Sequence, residues 1–91
     1  MTDDKNKNLP APHFSNLVLS IASTALIKMG LDQNSKEEKN MDLARYNIDL
    51  LQLLKEKTEN NLTKEETDLL NSCISDLQIQ FVNLNNKEGF K

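Results

Sequence analysis

Glycine is scarce in this chain. Gly30 and Gly89 are its only two, and a phosphate-cradling loop needs several for close backbone approach. Proline is equally scarce. Pro10 and Pro12 both precede the first apolar segment, so no proline breaks a helix beyond it. With so little turn material, hairpins are disfavoured. Cys73 is the sole cysteine, which excludes an intrachain disulfide. His13 is the sole histidine, with no Cys, Asp or Glu at metal-ligand spacing beside it, and a paired-histidine zinc motif is excluded. A Ser-His-Asp arrangement could use only His13, and no elbow motif accompanies any serine. Tryptophan is absent, and basic residues form no patch: Lys55 and Lys57 are interrupted by Glu56, in a chain of net charge −3. Nucleic-acid binding ordinarily leaves such a patch. The sequence therefore predicts no enzyme, no cofactor, no metal and no nucleic-acid partner.

What remains is leucine-rich and polar by turns, and it reads as helices. Phe14 to Met29 is the most informative stretch. It carries one charge, Lys28, and its least apolar side offers only Asn16, Ser20, Ser23 and Thr24. A surface helix normally keeps one face charged. This helix calls for cover all round, from its own chain, a second copy or another protein. The Ser20, Ser23 and Thr24 side reads as surface or as a small-residue face for close helix approach. A membrane span needs ~20 apolar residues, and this run is shorter and interrupted. Ser20-Ile21-Ala22 has the look of a cleavage site, but Asp3, Asp4 and the prolines do not suit a signal peptide. Gly30 suits the left-handed position that ends a helix.

Two starts compete for the second helix: a Ser35-Lys36-Glu37-Glu38 capping box, or Asn40 as N-cap with Asp42 in the first turn. Asn40 is preferred, because apolar periodicity begins at Met41. Met41, Ala44, Ile48 and Leu51 line one side. Leu43, Leu50 and Leu54 line a second, with Tyr46 and Leu53 beside them. The apolar arc is ~240°, wider than a surface helix needs, so two sides call for burial. Arg45 and Asp49, four apart, can pair within the helix or specify register across a helical interface.

Thr63-Lys64-Glu65-Glu66 is a capping box opening the third helix, with Leu62 placed to staple onto Thr67 or Leu70. Leu70, Ile74, Leu77, Phe81 and Leu84 follow heptad spacing, widened by Leu69 and Cys73, with Ile79 and Val82 outside the seam. Cys73 reads as a buried, inert thiol, which fits a cytosolic compartment.

In this order the elements resemble a family of short bacterial proteins known as domain of unknown function 1844. The resemblance rests on Phe14-Ser15, Leu19-Ser20, Ala22-Ser23, Ala25-Leu26 and Gly30; on Asn40 to Arg45 and Ile48 to Leu51; and on Glu56-Lys57-Thr58, Asn61-Leu62-Thr63, Glu65-Glu66, Leu69-Leu70 and Leu77. It implies a compact helical unit over about residues 13–83 and no assigned activity. Gln78, Gln80 and Ser75 stand where basic and aromatic residues would be natural in such proteins.

The expectation is an all-α domain, 13–84, between disordered tails at 1–12 and 85–91. Its three helices cover about 14–29, 41–59 and 64–84. Helices 2 and 3 form an antiparallel hairpin in a helical homo-oligomer, with a dimer favoured. The expected interface is Phe14, Leu17, Val18, Ile21, Ala25, Leu43, Leu50 and Leu54, with Arg45 and Asp49 as a polar register contact. Three rival readings are a subunit of a larger hetero-complex, a peripheral membrane protein using helix 1, and a weak helix-turn-helix-like regulator.

Overall fold

In a computed structural model the chain forms three helices: α1 (Phe14–Lys28), α2 (Met41–Lys57) and α3 (Lys64–Gly89). The structure describes residues 12–32 and 34–89, with side chains described to residue 86. The expected tails at 1–11 and 90–91 lie outside the described residues.

Each boundary has a local cause. α1 ends in a Schellman motif: Gly30 N–H donates to Ile27 O at 3.0 Å and Leu31 N–H to Leu26 O at 3.0 Å. This geometry needs the left-handed backbone at Gly30, where φ is 79°. α2 begins at Met41 because the Asn40 side chain accepts from Leu43 N–H at 3.1 Å. The rival Ser35 box makes only a local turn, with Ser35 Oγ accepting from Glu37 N–H at 3.1 Å. α2 closes at Lys57, two residues earlier than expected. The Thr58 hydroxyl donates to Leu54 O at 2.6 Å, and Asn60 turns the chain at φ 68°. α3 opens on the Thr63/Glu66 box and runs to Gly89, past the expected end at Leu84. Between Leu84 and Gly89 the sequence Asn-Asn-Lys-Glu holds no proline, so nothing stops the helix earlier.

The connection from α1 to α2 folds back on itself. Asn40 N–H donates to Lys28 O at 2.7 Å, and Lys28 Nζ pairs with Glu37 Oε1 at 2.6 Å. The short turn at 58–63 reverses the chain again. The helices thus run up, down and up, each touching both others, with α1 packed most extensively on α2.

The core is a single stripe from each helix: Val18, Ala22, Ala25 and Met29; Ala44, Ile48 and Leu51; Leu70, Ile74 and Leu77. Alanines at 22, 25 and 44 bring the helix axes close, while Met29, Leu51 and Leu70 fill the space between. Phe81, Leu84, Leu69 and Cys73 border the core, and Leu62 packs at the other end as the staple position requires.

Candidate interaction surface

Helical registry divides the expected interface residues into two groups. Val18 and Ala25 are fully buried in their own chain's core and cannot meet a second copy. α1 is apolar nearly all round, so the sequence did not say which side turned inward; the core took the side with the two alanines. Phe14 and Ile21 are half-buried at its margin, and Leu17 is 48 % exposed. On α2, Leu50 and Leu54 are half-buried and Leu43 is 41 % exposed. Tyr46, 58 % exposed, and Leu53, 47 % exposed, continue the same stripe.

These residues share one face. α1 meets α3 along a groove lined by Leu19, Ala22, Ser23 and Leu26 with Cys73, Asp76, Leu77 and Gln80. At 100° per residue, Phe14, Leu17 and Ile21 lie on the opposite flank, beside α2. α2 meets α3 through Arg45, Ile48, Asp49, Gln52, Lys55 and Glu56. Its Leu43, Leu50 and Leu54 therefore turn toward α1, and Tyr46 and Leu53 point outward. The exposed Leu17 of α1 and the exposed apolar side chains of α2 thus lie on the same side of the bundle, across the α1/α2 seam. Thr24, on the same flank of α1, turns its hydroxyl back to Ser20 O at 3.1 Å.

Arg45 and Asp49 are both exposed and, among the described residues, form no ion pair with each other. They rim an open groove of about 320 Å³ between α2 and α3, lined also by Ile48, Phe81 and Val82. Next along that groove is a wider part of about 610 Å³, lined largely by polar side chains including Gln52, Lys55, Asn71, Ser75 and Gln78. Asn71 Oδ1, buried at this edge, has no hydrogen-bond partner among the described residues. The sequence did not single out Asn71, whose position on the heptad border gives no signal.

Chemistry is sparse on this surface. Among the described residues no three His, Cys, Asp or Glu side chains are grouped to hold a metal ion. His13 occupies the N-cap of α1 without a side-chain capping bond and is exposed. Cys73 is half-buried, and burial, followed by the nearby Asp76 charge, pushes its thiol above the ordinary range. That favours the protonated, unreactive form. No helix among the described residues is long and apolar enough to cross a membrane.

The family model for a domain of unknown function, DUF1844, matches residues 11–83, which takes in α1 and α2 whole and α3 as far as Asn83. The chain belongs to this family. In this DUF1844 protein the matched segment includes the whole buried core and the outer face of α1 and α2. No curated protein and no solved structure matches the chain.

Proposed function

We propose that this DUF1844 chain is a non-enzymatic helical association module of the cytosol that self-associates, as a dimer, through the outer apolar face of α1 and α2. The observation that carries this reading is the set Leu17, Leu43, Tyr46 and Leu53, each more than two-fifths exposed on one side of the bundle. Scattered exposed leucines are ordinary; a contiguous patch is what marks an interaction site.

Size supports the same reading: the folded unit is small, and small cores gain from association. An aromatic with a polar tip at the middle of the face, Tyr46, suits a contact that is apolar in the centre and wet at the rim.

Size-exclusion chromatography with light scattering, across a tenfold concentration range, tests the proposal. A mass of twice the protomer is expected, falling toward the protomer on dilution. A protomer mass at every concentration would overturn it.

A further inference from the structure

The two halves of the proposed face have different borders. On α2, the stripe Leu43, Tyr46, Leu50 and Leu53 has the 3-4-3 spacing of a heptad seam. Asp42, Asp49 and Glu56 recur every seventh residue along its edge away from α1, all three exposed, and with the exposed Arg45 between the first two the edge stays net negative. On α1 the corresponding stripe is Phe14, Leu17, Ile21 and Thr24. Its edge positions His13, Ser20 and Ile27 carry no acid.

A second copy can meet this face about either of two twofold axes. An axis across the helices lays α1 on α1 and α2 on α2. It sets Asp49 beside Asp49 of the second copy, and Asp42 beside its Glu56. Facing like charges oppose association. An axis along the helices lays α1 of each copy on α2 of the other. The acidic row then meets the His13, Ser20 and Ile27 border, where no carboxylate opposes it.

Resting on the self-association reading, we infer that the second copy docks about the axis along the helices. α1 of each protomer packs antiparallel on α2 of its mate, in a four-helix layer closed on the outside by α3 of each copy. The register follows from the hydrogen bond between Lys28 O and Asn40 N, 2.7 Å, which sets the end of α1 level with the start of α2. Rotation about an axis along the helices leaves heights unchanged. Counting back at equal rise along both helices, Leu17 comes level with residue 51 of the second copy, between its Leu50 and Leu53; Ile21 comes level with 47, beside its Tyr46; and Thr24 with 44, beside its Leu43.

Crosslinking single-cysteine variants tests this arrangement. In a Cys73→Ser background, Leu17→Cys, Leu53→Cys and Asp49→Cys are prepared separately, and each is confirmed helical by circular dichroism. Leu17, Leu53 and Asp49 are exposed, so cysteine is tolerated there. A short bismaleimide is added to each variant alone and to an equimolar Leu17→Cys and Leu53→Cys mixture. The expected result is a crosslinked pair in the mixture, several-fold above either variant alone, with little from Asp49→Cys by itself, whose two copies lie at opposite edges of the layer. Strong crosslinking of Asp49→Cys alone would establish the other axis and overturn the inference, as would a mixture no better than its components. Light scattering on the same samples separates the two failures. Dimers with the wrong crosslinks contradict only the axis, while protomer masses contradict self-association as well.

Discussion

Lys28 O accepts a hydrogen bond from Asn40 N–H at 2.7 Å, although eleven residues separate them in the chain. This bond joins the last turn of α1 to the first of α2 and sets the two apolar flanks side by side. The loop it closes depends on Gly30, whose φ of 79° an L side chain rarely adopts. A Cβ there would meet only Lys39 side-chain carbons, the nearest at 3.5 Å, which is ordinary contact. The cost of Gly30→Ala is therefore conformational. It should lower unfolding free energy by about 1–2 kcal/mol, with Gly30→Asn milder. Urea denaturation of the two variants, followed by circular dichroism, checks the order.

The Thr63 and Glu66 pair makes a second local prediction. Glu66 N–H donates to Thr63 Oγ1 at 3.1 Å, and Thr63 N–H to Glu66 Oε1 at 2.9 Å. Thr63→Ala should cost about 1 kcal/mol. Glu66→Gln keeps the back-bond but loses the favourable charge at the helix start, so its smaller effect should shrink in high salt. Thermal melts at low and high ionic strength would show both.

Core and outer face should respond oppositely. Val18 and Leu51 are fully buried. Leu51→Ala should lower protomer stability by about 2–5 kcal/mol, a large share of the 5–15 kcal/mol typical of a domain. Leu17→Asp should leave helicity intact and abolish association, because the carboxylate would be buried unpaired in the dimer. Circular dichroism and light scattering on both variants separate the two behaviours.

Cys73 titrates above the ordinary thiol range, chiefly through burial and secondarily through Asp76. The folded state therefore holds the thiol proton more tightly than the unfolded chain. Its contribution is fully present below the unfolded thiol pKa of about 8.5 and is lost as pH rises through the folded value. The wild-type denaturation midpoint should fall more steeply than that of Cys73→Ala above about pH 8.5. Parallel slopes would count against a raised thiol.

Much of the fold was legible because its signals are local. Asn40, Gly30 and the Thr63/Glu66 box each fix a boundary through one or two hydrogen bonds that their side chains or backbone freedom make available. The inward side of α2 was equally plain, since Met41, Ala44, Ile48 and Leu51 repeat with helical spacing. α1 was not, because apolar residues on nearly every side erase the periodicity that marks an inner face. Only packing shows that Val18 and Ala25 turn in while Leu17 stays out. The end of α3 was missed for another reason: a polar Asn-Asn-Lys-Glu run reads the same on an exposed helix end as in a tail.

If, as proposed, the outer face of α1 and α2 joins two copies of this chain, charge placed on that face must separate them. Sedimentation equilibrium of the wild type beside a Tyr46→Lys/Leu53→Lys variant is the direct test. The wild type should fit a reversible dimer and the variant, equally helical, a protomer. A wild-type protomer, or a variant that dimerises as tightly as the wild type, would contradict the account.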